Sequence, residues 1–356
     1  MLQFSVTATL DILASLGGCT TSEVQTYIHL FHNDRAGDGD TMLDILDVEP
    51  ARRLKCCAHP CLCIENALDK TFASHERSVG RDKLISVAAS HVFTSPSSSI
   101  FMLGLIALSK LLSPSHSQQS VSLYLPYKTF LKSLSTSDHD LKTLAAKTLK
   151  AQFKGFGANR FGRISHLAHI FIEHQPLIIK FFEDLVNTNQ NKLFAACNAY
   201  LRSPWFAMCC RVSAVFNTSL VVPLLEALGI DEGKYFKSQY RSWEGIRSFF
   251  NQKLAMLESM SVTEEGVRVE DMIIAECSGN IREALQNQLN YMTWFTIPEE
   301  IKMKMQSARL TNSGCESEFA HLDNDCKVTS GNTSLTTLSN RHIIKRNKLF
   351  SHNKWK

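Results

Sequence analysis

Apolar residues recur every third or fourth position along most of this chain, and continuous apolar runs suited to strands are confined to the region before His59. That spacing lines one face of a helix, so the pattern predicts a mainly α protein. Helices are expected at Thr7 to Leu16, Thr41 to Asp47, from Pro60 onward, from the Ser95–Ser99 cluster to Leu112, and at Tyr124 to Leu134 and Asp138 to Phe153. The same periodicity marks Phe171 to Val186, Lys192 to Leu201, Ala207 to Val215, Ser219 to Leu228, Trp243 to Leu257 and Val269 to Met292. Val24 to Phe31 reads as a buried strand because it is rich in β-branched and aromatic residues. It runs into an Asp- and Gly-rich loop, Asn33 to Asp40, where Gly37 and Gly39 suit unusual backbone angles.

A second short strand is expected before Cys56, and it leads into the most informative stretch. Pro60 suits the first turn of a helix, where its missing N–H is not needed, and Cys61, Ile64, Leu68 and Phe72 then share a face. Cys56, Cys57, His59, Cys61 and Cys63 crowd soft ligands together, but residues at this spacing point several ways and no second Cys/His pair follows. A closed zinc site is therefore disfavoured, and the thiols read as small hydrophobes.

With 356 residues and 44% hydrophobic content, the chain can bury a large core. Its eleven cysteines, an odd number and partly adjacent, do not resemble a secreted disulfide framework, which points to a reducing, intracellular compartment. The start lacks a basic region of the kind that opens a signal peptide. The longest apolar run, Ile100 to Leu108, is too short to span a bilayer, so no membrane association is expected.

The net charge of +4 says little, but its distribution says more. Lys142, Lys147, Lys150, Lys154, Arg160 and Arg163 follow one another with no acid between them, interleaved with Phe153, Phe156 and Phe161. Basic residues beside aromatic ones suit a phosphate backbone and stacked bases, while a solvated helix face remains the plainer alternative. The tail, Arg341 to Lys356, holds six Lys or Arg and no acid, which fits DNA contact, a nuclear import signal or a frayed helix.

Four elements, taken in order, resemble the hAT superfamily of DNA transposases. Cys56 and His59 match a Cys-x-x-His element. Asn159 to Ser165, followed by an apolar helix to Pro176, is similar to the family's Arg-Trp-Asn-Ser element, with Arg160 retained and Phe161 in place of the Trp. Thr311 to Ala320 resembles Ser-Glu-Arg-x-Phe-Ser, with Glu316 at the catalytic Glu and Phe319 at the Phe, while Cys315, Ser317 and Ala320 replace the other three. Asp34, at a strand end upstream of Cys56, stands where the family keeps its second catalytic Asp.

The resemblance implies an incomplete ribonuclease-H-like α/β core split by a large helical insertion domain. Residues 1–58 would form part of that core, 59–305 the insertion, and 306–356 the return to the core and a basic tail. No counterpart of the family's first catalytic Asp precedes Asp34, so the implied protein is an N-terminally truncated transposase, inactive alone and nuclear. Asp34 and Glu316 would converge as candidate ligands of Mg²⁺ or Mn²⁺, hard cations that favour oxygen donors. DNA would be held weakly and without sequence preference, and oligomerisation is open. The alternative is a non-enzymatic helical protein, derived from a transposase, that binds DNA or a partner.

Overall fold

The computed structural model describes residues 11–23 in part, 31–33, 53–55, 57–86 except 58, 91–113 except 94, 122–134, 143, 145, 162–188, 191–228, 243–262 and 267–290. Among these the protein is mainly helical. Two three-residue strands, β1 (Phe31–Asn33) and β2 (Arg53–Lys55), pair in parallel with Phe31 opposite Arg53 and Asn33 opposite Lys55. The helices are α1 (Pro60–Val79), α2 (Arg81–Leu84), α3 (Ile100–Leu112), α4 (Tyr124–Leu134), α5 (Arg163–Thr188), α6 (Lys192–Leu201), α7 (Pro204–Phe216), α8 (Val222–Ala227), α9 (Trp243–Met260) and α10 (Val269–Asn290). Packing is closest between α5 and α7, α1 and α10, α9 and α10, and α5 and α6.

α1 is the helix around which the others assemble. Its predicted stripe is fully inside, with Cys61, Ile64, Leu68 and Phe72 all at most 1% exposed. Three acids of the same helix face its neighbours: Glu65 and Glu76, which are buried, and Asp69, which is half-buried. The first N–H groups of any helix lack intrahelical acceptors, and here α1 supplies them to a neighbour. At α3, Glu76 accepts from Ile100 N (2.7 Å) and Phe101 N (3.2 Å), the N-cap Ser99 hydroxyl accepts from Met102 N (3.0 Å), and Asp69 accepts from Ser99 N (2.8 Å) and Ser99 Oγ (2.5 Å). The third hydrogen bond to Glu76 comes from Trp205 Nε1 on α7, at 3.0 Å. Trp205 lies stacked on His75 and edge-on to Phe72, so one indole ties α7 to two turns of α1.

α10 closes the other side of α1, where Asn280 Nδ2 donates to Thr71 Oγ1 at 2.8 Å. Arg211 on α7 makes a two-pronged bond to Glu270 on α10, with contacts of 3.0 and 2.7 Å. In the centre, Tyr200 is fully buried, donates its hydroxyl to Phe101 O at 2.8 Å and lays its ring over Gly104. Only a residue without a Cβ leaves room for that ring.

Three local features go beyond the sequence pattern. Residues 21–23, just ahead of the expected strand, are helical, because Thr20 and Glu23 form a reciprocal capping box: Thr20 N donates to Glu23 Oε2 at 2.7 Å and Glu23 N to Thr20 Oγ1 at 3.2 Å. Of the expected strand Val24 to Phe31, only Phe31 is described, and it opens β1. Secondly, the apolar helix expected up to Pro176 and the helix expected at Phe171 to Val186 are one, α5, which runs from Arg163 through Pro176 to Thr188. Leu167 and Phe171 before it, and Leu177, Ile178 and Phe182 after it, are all buried, so burial on both sides outweighs one missing hydrogen bond.

Thirdly, the two helices expected at Ala207 to Val215 and Ser219 to Leu228 are one continuous rod of 24 residues, Pro204–Ala227, joined by a π turn at Asn217–Val221. By length and composition this rod could cross a bilayer, so Ile100 to Leu108 is not the longest apolar helical segment. Half of the rod's apolar window is buried inside the fold. Pro223 explains how the rod continues. It has no N–H for the Ser219 carbonyl, and Lys253 Nζ on α9 donates to that oxygen instead, at 2.7 Å.

Burial pushes the Glu76 carboxyl above its ordinary value of 4.5, against the pull of its three N–H donors. A raised folded-state value means that the native protein binds more protons than the unfolded chain between the two values. The Glu76 contribution to stability is therefore full below about 4.5 and declines as pH rises through the elevated value. Urea unfolding across this range should show the decline in the wild type and lose it in Glu76→Gln. In the same assay Gly104→Ala should destabilise by about 3 kcal/mol, the upper part of the overpacking range, since the Tyr200 ring must move.

Candidate functional site

The sequence motifs are best judged by where their flanking elements lie. β1 and β2 end side by side, so Asn33 and Lys55, the residues that precede Asp34 and Cys56 in the chain, are register partners. After β2 the chain turns through Cys57, fully buried, and half-buried His59, whose carbonyl accepts from Leu62 N at 2.9 Å. Pro60 then occupies the first helical position of α1, as its spacing predicts. The Cys-x-x-His segment is thus the junction between the parallel strand pair and the central helix.

α1 also reaches the second motif region. Glu65 Oε1 accepts from Ile164 N at 2.7 Å, a hydrogen bond between residues 99 apart, and so satisfies one of the open donors at the start of α5. Gly162, immediately before α5, has φ +70°, and a Cβ there would run into the Val221 side chain of the π turn. Both requirements select glycine. The backbone that follows Arg160 and Phe161 is consequently held between a carboxylate of α1 and the π turn, while Lys253 holds the π turn from behind. Glu65, Gly162, Ile164 N, Val221 and Lys253 form one connected structure that draws together segments far apart in the chain.

Compared with known protein families, characterised proteins and solved structures, this chain matches none.

Of the residues singled out in the sequence, His59 is described at the start of α1, and Arg163 is the first residue of α5. Asp34, Cys56, Arg160, Phe161, Glu316, Phe319, Lys142, Lys147, Lys150 and Lys154 lie outside the described residues. Among the described residues no group of three or more His, Cys, Asp or Glu side chains is arranged to hold a metal ion. The buried thiols are poor nucleophiles: burial pushes Cys197 and Cys277 up to about 12, and Cys209 and Cys210 well above the usual thiol range.

Glu65, Asp69 and Glu76 were not anticipated as structural centres. Their signal is present all the same, since they stand four and seven residues apart among the apolar positions of a helix, where solvated acids have no place.

Two substitutions probe this junction. Glu65→Ala should cost about 1–2 kcal/mol, the loss of a helix cap, and Gly162→Ala should cost about 1–3 kcal/mol through backbone strain, before the steric conflict with Val221 is counted. If both act on one structure, the double variant should fall short of the sum of the two, and equilibrium unfolding of all four proteins measures that coupling.

Proposed function

We propose that this chain is a remnant of an hAT-like DNA transposase: an incomplete ribonuclease-H-like core interrupted by the helical assembly, catalytically silent by itself, and able to associate with DNA through phosphate contacts. The observation that carries this reading is the side-by-side placement of the strand ends before Asp34 and Cys56, followed directly by α1. In α/β proteins the carboxyl ends of parallel strands are where reacting groups gather. The Glu65 bond adds support, because it joins the Cys-x-x-His helix to the segment that resembles Arg-Trp-Asn-Ser. Asp34 and Glu316 would be the surviving acidic ligands. Their oxygen donors suit Mg²⁺ or Mn²⁺, which in an intact relative would activate water for strand cleavage.

The second reading, a non-enzymatic helical interaction protein descended from such an enzyme, is favoured by the dominance of helix among the described residues. Both readings place DNA association in Lys142, Lys147, Lys150, Lys154, Arg160 and Arg163, and they part on chemistry. Metal-dependent nicking that disappears in Glu316→Gln would establish a working enzyme and overturn catalytic silence.

For DNA association, the wild-type chain should bind duplexes of unrelated sequence equally, and its affinity should fall steeply with salt. Changing Lys147, Lys150 and Lys154 to Ala should lower the slope of log affinity against log salt by about 3, since each phosphate contact contributes about 0.9. Changing all three to Glu should abolish binding. Fluorescence anisotropy over a salt series reads both, and an unaltered slope would move the contact to the basic tail.

A further inference from the structure

Three Ser-Pro dipeptides occur in the chain, beginning at Ser95, Ser113 and Ser203. Ser113 and Ser203 are buried, and Ser203 donates its hydroxyl to Leu84 O at 2.7 Å, so neither is open to an enzyme. Ser95 differs. It is half-buried, Pro96 and Ser97 beside it are exposed, and the segment leads through Ser98 to the cap of α3 without regular structure. A following proline biases a serine toward extended backbone, the form in which a peptide is threaded through a kinase cleft.

The surroundings of Ser95 are cationic. Ser95 and Pro96 line a shallow surface cleft of about 480 Å³ together with Arg77, in the last turn of α1, and Arg81, the first residue of α2. Arg81 Nη2 donates to Ser95 O at 3.0 Å and to Ser98 O at 3.5 Å, which fixes its guanidinium against this loop and leaves its other donors uncommitted there. Arg77 is exposed, and among the described residues no carboxylate pairs with either arginine. The nearby acid, Glu76, gives its hydrogen bonds to Ile100, Phe101 and Trp205 and meets Arg81 only through a longer-range charge attraction, the weakest of the influences on its carboxyl. Arg77 and Arg81 therefore line the same cleft as Ser95, whose hydroxyl meets Ser97 Oγ at 3.1 Å and Ser97 N at 3.2 Å.

We propose that Ser95 is a phosphorylation site for a proline-directed serine/threonine kinase, and that Arg77 and Arg81 form the built-in receptor for the phosphate. In the reaction Ser95 Oγ attacks the γ-phosphorus of ATP. The new P–O bond forms as the bond to the β-phosphate oxygen breaks, ADP leaves, and the hydroxyl proton passes to the base of the kinase. The product carries close to two negative charges and three strong acceptor oxygens, to which arginine forks bind by paired, charge-assisted hydrogen bonds. The ester oxygen can still accept from Ser97 N, now 3.2 Å away, so the turn survives modification. Phosphorylation would fasten the Ser95–Ser99 loop, and with it the start of α3, to the junction of α1 and α2. It is a device for tightening the helical assembly, independent of whether the chain binds DNA.

The test uses the full chain, Mg-ATP and a proline-directed kinase, with the site located by peptide mass spectrometry. Phosphate is expected at Ser95 and should be absent from Ser95→Ala. Phosphorylated wild type should melt about 2–4 °C above the unmodified protein, the shift expected for a few new charge-assisted bonds in a chain of this size. In Arg77→Ala, an exposed change that leaves helical circular dichroism intact, the shift should vanish and a phosphatase should remove the phosphate faster than from wild type. No phosphate at Ser95, or a melting shift and dephosphorylation rate that are the same in wild type and Arg77→Ala, would overturn the proposal.

Discussion

A helix begins with N–H groups that have no partner inside it, and in this protein the partners for two helix starts come from one other helix. Glu76 and Asp69 take the open donors of α3, and Glu65 takes one at α5. Glu65 and Glu76 are buried, where an uncompensated charge would be costly, so each is tolerable only because a helix terminus or an indole N–H meets it, while half-buried Asp69 is less constrained. The dependence runs both ways. α3 and α5 start where they do because α1 offers acceptors there, and α1 keeps acids in its apolar stripe because those starts are close by.

A second constraint acts through residues that cannot donate. Pro223 deprives the Ser219 carbonyl of its helical partner, and the π turn just before it shifts the register of the whole rod Pro204–Ala227. Lys253 supplies the missing donor from α9, which turns a local defect into a tertiary bond. Gly162 exploits the same turn from the opposite direction, because the backbone before α5 passes so near Val221 that no side chain fits. The turn, the glycine and Glu65 together fix how the segment after Phe161 meets the rest of the molecule. That junction sets the start of α5 against α1, although Glu65 and Ile164 lie 99 residues apart in the chain.

The core explains why the cysteines are numerous without being reactive. Cys197, Cys209, Cys210 and Cys277 are buried among Tyr200, Phe206 and the apolar faces of α6, α7 and α10, where a thiolate would be poorly solvated. They fill space as small hydrophobes. The ion pairs that tie elements together lie nearer the surface than the buried acids of α1, as in the Arg211–Glu270 fork and the Arg282–Glu258 pair. Such partly exposed pairs fix orientation more than they add stability.

Periodicity alone determined which segments are helical, and the bounds of α4 and α6 follow directly from it, because an amphipathic pattern between polar or Ser-rich breaks leaves little choice. The stripe on α1, its Pro60 start and the Ser99 cap of α3 were legible for the same reason: each depends on residues within a few positions of one another. The sequence likewise placed the candidate motifs in order, but not in space. Tertiary structure decided that the helices on either side of Pro176 merge into α5 and that Pro204–Ala227 is one rod. In both cases burial against distant elements holds together segments that local pattern marked out separately. Glu65, Asp69 and Glu76 were readable as acids out of place, yet their role required knowing which helix starts lie opposite them. No local pattern carries that information, since a hydrogen bond between Glu65 and Ile164 exists only once the chain between them has folded back.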